Sequence, residues 1–171
     1  MSVVELPSVV IVMGVCGCGK TSVGRGLAER IGGIFEDADD FHSAANKTKM
    51  SAKIPLTDED RWPWLETLRG RIEHHRAVGR RYVLACSALK AVYRDRLRNG
   101  DAGTQTVFVW LDGSRELIES RMSARAGHYM PVGLLDSQFA ILEPTPDLKR
   151  VSIDATPEEI VEAALEQLRT P

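Results

Sequence analysis

The 171-residue sequence predicts a single α/β domain with a doubly wound, five-stranded parallel sheet and helices on both faces. Three observations support this fold class. Five short β-rich runs alternate with segments of helical periodicity, as in parallel sheets. The first run is apolar throughout, which is typical of a strand buried on both faces. A glycine-rich turn follows that run and leads directly into a helix.

The predicted elements follow one another along the whole chain. Strands are expected at residues 8–13, 34–36, 82–86, 106–111 and 150–153. Helices are expected at residues 20–31, 90–98, 115–125 and 134–142, with one long helix after residue 60 and one at the C-terminus. Residues 43–59 are polar and irregular, with at most one short helix.

Two helix starts carry capping signals. Asp60 is expected to cap the long helix, because Pro63 then lies in the first turn, where no N–H is needed. Thr156 is expected to cap the final helix. Pro157 suits its first position, and Glu159 completes a capping box.

Composition and charge limit the possible partners and compartment. Charged residues make up 27 % of the chain, hydrophobic residues 43 %, and the net charge is −2. This balance argues against nucleic acid or a membrane as the main partner. The N-terminal residues lack a basic leader pattern, and no apolar run is long enough to span a bilayer. Three cysteines form no disulfide framework, so a cytoplasmic location is expected.

The turn after the first strand matches the phosphate-binding pattern G-x-x-x-x-G-K-[ST]. Its residues are Gly14, Val15, Cys16, Gly17, Cys18, Gly19, Lys20 and Thr21, and Ser22 follows. Glycines let backbone N–H groups surround phosphate oxygens, and the next helix aims its positive end at them. Lys20 is expected to reach the β- and γ-phosphates of ATP, and the Thr21 hydroxyl to coordinate Mg²⁺. Cys16 and Cys18 are interpreted as small loop fillers whose thiol pKa the helix end lowers.

Two acids follow the second predicted strand. Asp37 and Asp39 lie at the carboxyl edge of the sheet, where open α/β sheets bind ligands. The two-residue period of a strand predicts that both carboxylates point the same way. Asp37 is expected near the metal, and Asp39 is expected to engage an attacking hydroxyl.

Several separate segments resemble the gluconokinases, small P-loop kinases of D-gluconate. They are residues 13–21, 39–42 with 46 and 49–50, 55–65, 86–90 with 93–95, 119–121 with 125–129, and 137–139 with 142–144. Cys-Ser-Ala-Leu-Lys at 86–90 and Tyr-Arg-Asp at 93–95 are the most specific. The chain departs from the usual family pattern at Cys16, Cys18 and Ala38, where Ser, Ser and Gly are common.

The resemblance implies the reaction of ATP with D-gluconate to give ADP and 6-phospho-D-gluconate, with Mg²⁺. It also implies a homodimer and an adenylate/shikimate kinase-like P-loop fold. Within one domain over residues 1–171, a mobile lid is expected at roughly 121–138 and a substrate-binding segment at roughly 39–65.

Gluconate carries a carboxylate and a row of hydroxyls, so its site needs cations and hydrogen-bonding groups. The resemblance places these at His42, Lys49, Arg61, Ser87, Lys90, Arg94, His128 and Gln138. Asp39 is assigned to the 6-hydroxyl. Arg121 and Arg125 lie one helical turn apart and are expected to face the nucleotide, with Arg125 neutralising charge on the transferring phosphoryl.

Two alternatives to a gluconokinase remain open from the sequence. Another small-molecule P-loop kinase, such as a shikimate kinase, shares the phosphate loop and Asp-x-Asp, but its substrate-binding triple glycine is missing here. A non-catalytic ATP-binding switch would use the same loop without phosphoryl transfer. Turnover that depends on a small acceptor would separate an enzyme from a switch.

Overall fold

The computed structural model describes residues 5–98, 106–124 and 132–170. Five parallel strands form one sheet in the order β2-β3-β1-β4-β5. The strands are β1 (Val9–Met13), β2 (Ile34–Asp37), β3 (Tyr82–Ala85), β4 (Thr106–Asp112) and β5 (Lys149–Ser152). The predicted fold class is therefore confirmed, and each strand begins and ends within one residue of its predicted bounds.

Helices cover both faces of this sheet. They are α1 (Lys20–Ile31), α2 (Ala44–Ser51), α3 (Asp58–Ala77), α4 (Ala91–Arg98), α5 (Arg115–Ser123), α6 (Val132–Ile141) and α7 (Pro157–Arg169). A short 3₁₀ helix at Ala38–Phe41 follows β2. The capping box predicted for α7 is present. No helix in the described parts of the chain is long and apolar enough to cross a membrane.

The central strand β1 contributes to two separate apolar layers. Val10 and Val12 pack on the side of α1 and α7, whereas Ile11 and Met13 pack on the side of α3 and α4. Successive side chains of a strand point to opposite faces, and all four of these are fully buried. Complete burial of such a side chain stabilises the fold by roughly 1.5–3 kcal/mol. The two layers hold the carboxyl edge of the sheet, and the loops on it, in place.

The start of α3 differs from the prediction. The cap is Thr57, whose hydroxyl accepts a hydrogen bond from the Asp60 N–H at 3.1 Å. The Asp60 carboxylate accepts one from the Thr57 N–H at 2.9 Å, so Asp60 completes a capping box as its third helical residue. Pro63 consequently lies inside the helix. The prediction was wrong because it assumed that Pro63 must lie in the first turn of the helix and placed the cap accordingly.

A polar cluster ties α3 to β2 beside the expected site. Arg71 donates hydrogen bonds to both oxygens of the Glu36 carboxylate at 2.9 and 3.0 Å. His75 Nε2 lies 3.0 Å from the same carboxylate, and its ring stacks on Tyr82. Burial opposes the charged form, but the hydrogen bonds from Arg71 and His75 outweigh it and hold the pKa of Glu36 below 4.5.

Candidate active site

The phosphate loop connects β1 to α1 through three glycines with positive φ. At Gly17 (φ 83°) the backbone angle disfavours any other residue, and a Cβ would lie 2.6 Å from the Met122 sulfur, which would have to move. Cys18 is buried, and burial, the largest influence, raises its thiol pKa. The prediction of a lowered pKa is therefore wrong for Cys18, because desolvation outweighs the Lys20 charge and the backbone N–H groups that lower it.

Lys20 starts α1 and folds back over the loop that precedes it. Its ammonium donates to the carbonyls of Gly14 and Val15, each at 3.1 Å. This places a positive charge over the backbone N–H groups of the loop. The arrangement suits a polyphosphate, because the cation and the N–H donors converge on one anion.

Thr21 and Asp37 bring two oxygen ligands together. The Thr21 hydroxyl donates to Asp37 Oδ2 at 3.0 Å across the gap between α1 and the end of β2. Mg²⁺ prefers oxygen ligands and commonly takes only one or two from the protein, with phosphate and water oxygens completing its shell. The donor set therefore fits Mg²⁺ carried with a nucleotide.

Asp39 lies close to Asp37, for a different reason from the one predicted. β2 ends at Asp37, whose side chain accepts a hydrogen bond from the Asp39 N–H at 3.0 Å and caps the 3₁₀ helix. The strand alternation used to orient the pair is therefore absent. The Asp39 side chain is 72 % exposed at the cavity surface, but neighbouring protein atoms still remove part of its hydration. This desolvation, followed by the charges of Asp37 and Asp40, raises its pKa, and Lys20 opposes the rise.

A cavity of about 610 Å³ opens between the phosphate loop, the turn after β2, the start of α3, the loop after β3, and α6. Predicted site residues that line it are Cys16, Lys20, Asp39, His42, Arg61, Ser87, Lys90 and Gln138. Its volume lies within the range of roughly 300–1,000 Å³ that is usual for small-molecule sites. The phosphate-handling and acidic groups thus share one space with polar and cationic side chains.

Four polar side chains form a cluster on the wall of the cavity. Tyr93 donates to Asp58 Oδ1 at 2.5 Å, and Arg61 donates to the Tyr93 hydroxyl at 3.0 Å. The Lys90 ammonium lies 3.4 Å from the same Asp58 oxygen. The Tyr93 hydrogen bond, with help from Lys90, lowers the pKa of Asp58. The cluster has two cations and one carboxylate, so this part of the cavity lining, here called the cationic wall, is net positive. A net positive charge suits an anionic, hydroxyl-rich ligand.

Comparisons with known proteins agree with this site. A family model described as an AAA domain matches residues 9–144. A probable gluconokinase of Mus musculus is 44 % identical, over 96 % of this chain and all of its own length. The chain belongs to the gluconokinase family.

Further members of the gluconokinase family support the assignment. The thermosensitive gluconokinase of Escherichia coli K12 is 49 % identical over 78 % of this chain and 70 % of its own. The crystal structure of a gluconokinase from Sinorhizobium meliloti 1021 has a TM-score of 0.87 and 42 % identity, covering 96 % of this chain and 93 % of its own. A shikimate kinase from Aquifex aeolicus is only 17 % identical with a TM-score of 0.58, which is a likeness of fold alone.

Two cations predicted to bind substrate do not line the cavity. Arg94 is fully buried, and its guanidinium donates to the carbonyls of Ala88 (2.7 Å), Leu89 (3.1 Å) and Glu143 (2.5 Å). It holds the loop after β3, in which Ala88 has a positive φ of 45°. The Lys49 ammonium is paired with the Asp60 carboxylate at 2.7 Å. Arg94 is held by backbone carbonyls away from the cavity, which argues against the role predicted for it. Lys49 is partly exposed in its pair with Asp60, so its role in substrate binding stays a prediction.

His42 lines the cavity, as expected of a substrate-binding residue, but it does so as a neutral group. The residue is only 8 % exposed, and its ring stacks on Trp64 at 4.1 Å. Burial, then the charges of Arg61 and Lys47, lower the pKa of His42 to about 4. His42 is therefore a neutral hydrogen-bonding group at neutral pH and does not act as a cation for a carboxylate.

The segment predicted to form a lid, roughly residues 121–138, is described in part. Gln138 on α6 accepts a hydrogen bond from the Cys16 N–H at 2.5 Å, which joins α6 directly to the phosphate loop. Arg121 on α5 donates to the Ala155 carbonyl at 3.2 Å, in the loop after β5, and does not line the cavity. Arg125 and His128 lie outside the described residues.

Sequence reasoning missed two members of the cationic wall. Tyr93 and Asp58 both lie inside the motif segments, but the predictions selected the charged neighbour Arg94 in one and the helix cap in the other. A tyrosine whose helix also carries a buried arginine gives no local signal of which side chain faces the ligand. Which of the two side chains faces the cavity depends on how α4 packs against α3.

Proposed function

We propose that this chain transfers the γ-phosphoryl group of ATP to the 6-hydroxyl of D-gluconate, giving ADP and 6-phospho-D-gluconate. The observation that carries the proposal is one cavity lined by Lys20 of the phosphate loop, by Asp39, and by the cations Arg61 and Lys90. The gluconokinases among its relatives supply the identity of the acceptor.

The nucleotide is proposed to bind with its β- and γ-phosphates in the loop at residues 14–21. Backbone N–H groups and the Lys20 ammonium face the phosphate oxygens there. Thr21 and Asp37 would hold Mg²⁺, directly or through water, and the ion supplies positive charge that neutralises phosphate oxygens. Arg121 lies beside the loop after β5, so we place it at the base end of the nucleotide.

The acceptor hydroxyl is proposed to lie at Asp39. Its oxygen attacks the γ-phosphorus, a new O–P bond forms, and the bond to the bridging oxygen of ADP breaks. The hydroxyl proton passes to the Asp39 carboxylate and then to solvent. A carboxylate with a raised pKa is a better proton acceptor, and it also aligns the hydroxyl for in-line transfer.

The sugar-acid carboxylate is proposed to lie against the cationic wall. Arg61 and Lys90 provide the charge, while Asp58 and Tyr93 offer an acceptor and a donor to the chain hydroxyls. Ser87 lines the cavity at the end of β3 and is positioned to donate to a substrate oxygen. In this proposed arrangement, the substrate carboxylate lies at one end of the cavity and the reacting hydroxyl at the other.

The remaining features of the family are proposed on the resemblance. They are a homodimer, a single domain, a lid at roughly 121–138 and a substrate segment at roughly 39–65. Arg125 and His128 keep their predicted roles at the transferring phosphoryl and the substrate. The three cysteines are thiols rather than disulfides, which supports a reducing compartment such as the cytoplasm.

The test is an ADP-release assay with Mg·ATP and a panel of acceptors: gluconate, glucose, shikimate, other sugar acids and nucleoside monophosphates. The proposal expects turnover with gluconate and little with the others. Preferred turnover with shikimate or another acceptor would keep the phosphate-loop chemistry and reject the substrate. ATP binding without turnover across the panel would favour a non-catalytic switch.

A further inference from the structure

Asn46 fixes which ring nitrogen of His42 carries the proton. The Asn46 side-chain NH₂ donates to the backbone carbonyl of Asp60 at 2.9 Å, and a carbonyl can only accept, so the amide orientation is set. The same NH₂ lies 3.3 Å from His42 Nδ1. Because an NH₂ group has only donors, Nδ1 must be the bare nitrogen, and the single proton of the neutral ring lies on Nε2.

The Nε2–H of His42 is directed toward the reactive end of the cavity. Nε2 lies 3.9 Å from Asp39 Oδ1, and both side chains line the same space. The ring has no freedom to turn away, because it is stacked on Trp64, which itself donates to the Ala38 carbonyl at 2.7 Å. A fixed donor thus stands next to the Asp39 carboxylate.

A separation of 3.9 Å is too long for a direct hydrogen bond but suits one oxygen atom between the two groups. Hydrogen bonds of roughly 2.7 Å to the carboxylate and 2.9 Å to the ring close a triangle with an angle of about 90° at that oxygen. A hydroxyl there would donate its proton to Asp39 and accept from His42. With its carbon as the third neighbour, one lone pair of the tetrahedral oxygen remains, and it is available to phosphorus.

We propose that His42, held as the neutral Nε2–H tautomer by Asn46, donates a hydrogen bond to the acceptor hydroxyl oxygen and orients its free lone pair. The inference rests on the proposed function, since it needs a hydroxyl acceptor at Asp39. His42 then touches the reacting atom, and Asn46 is a positioning residue that acts through it. Other charged groups facing the ring, Arg61 and Lys47, favour its neutral form.

The first test measures the tautomer without any substrate, by ¹⁵N NMR of the histidine side chains, with His42→Gln to assign the signal. The proposal expects a bare Nδ1 and a protonated Nε2 at neutral pH, unchanged on acidification to about pH 5. A protonated Nδ1, or a charged ring at neutral pH, would overturn it. Asn46→Asp, whose carboxylate can only accept, is expected to move the proton to Nδ1.

The second test separates hydrogen bonding from packing. His42→Phe keeps a ring on Trp64 and removes the donor, and it is expected to lower kcat roughly tenfold to a hundredfold with an unchanged Kd for ATP. His42→Gln, which retains an amide donor, is expected to recover part of the loss. His74→Phe is the matched control, because His74 is exposed on α3 and lies outside the cavity.

Failure of this inference differs from failure of the proposed function. A wild-type protein that ignores gluconate but phosphorylates another hydroxyl would reject the substrate, and the His42 variants would then be measured with that acceptor. An active wild type whose His42→Phe variant keeps its full kcat would reject the inference alone. If His42→Phe fails to fold, the proposal is judged by the His42 tautomer measured in the wild type and in Asn46→Asp.

Discussion

Replacement of Arg94 by methionine tests whether this buried cation holds the fold or binds the substrate. Arg94→Met keeps most of the apolar stem and removes the guanidinium. Three backbone carbonyls, those of Ala88, Leu89 and Glu143, then lose their donor. A buried polar group left without its partner costs about 1–3 kcal/mol. Because the variant no longer buries a charge, the expected net loss is about 3–5 kcal/mol.

This loss is large for a domain whose unfolding free energy is typically about 5–15 kcal/mol. With a slope of about 2 kcal/mol per molar urea, the unfolding midpoint should fall by about 1.5–2.5 M, as read from far-ultraviolet circular dichroism. Arg96→Met is the matched control on α4. Its partly exposed pair with Glu66 at 3.8 Å should contribute less than about 1 kcal/mol. An Arg94→Met protein of wild-type stability with a strongly raised KM for gluconate would refute the reasoning and restore Arg94 as a substrate ligand.

Three further predictions concern the fold and the phosphate loop. Because the pKa of Glu36 is lower in the folded protein, its stabilising effect is present above pH 4.5 and is lost as the pH falls through the folded-state pKa. Urea titrations should therefore show that Glu36→Gln loses less stability in acid than the wild type does. Equal acid sensitivity of the two proteins would contradict this. Gly17→Ala forces a Cβ against a methionine sulfur at positive φ and should weaken ATP binding at least about tenfold by calorimetry, while Gly70→Ala, which meets nothing within 4 Å, should not. Iodoacetamide at neutral pH should label the partly exposed Cys16 before the buried Cys18, and equal labelling of the native protein in peptide mass spectrometry would be inconsistent with a raised thiol pKa at Cys18.

The strands and the phosphate loop were predictable because their signals are local. A parallel strand buried on both faces is a short apolar run between turns, as Val9–Met13 shows. The loop pattern needs glycines at set spacings, and positive φ at Gly14 and Gly19 explains that need. The α7 cap is equally local, with Thr156 three residues before its partner.

The roles of charged side chains were less predictable because they depend on neighbours distant in the chain. Arg94 and His42 both stand in motif positions. Arg94, however, is fully buried and donates to a carbonyl about fifty residues away, and burial makes His42 neutral. The sequence gives the type of each side chain but not the extent to which folding removes it from water. That desolvation determines whether the side chain is charged and which partners it needs. For the same reason the cationic wall with Tyr93 appears only after α3 and α4 pack together.

The most direct test of the central claim is the rate of Asp39→Asn with saturating Mg·ATP and D-gluconate. Asparagine keeps the size of the side chain but cannot take the hydroxyl proton, so kcat should fall by roughly a hundredfold or more. The Kd for ATP should stay unchanged, because Asp39 lies outside the phosphate loop. Asp40→Asn, an exposed neighbour outside the cavity, is the control and should keep wild-type turnover. A kcat for Asp39→Asn within about twofold of wild type would contradict the assignment of this cavity as the site of phosphoryl transfer.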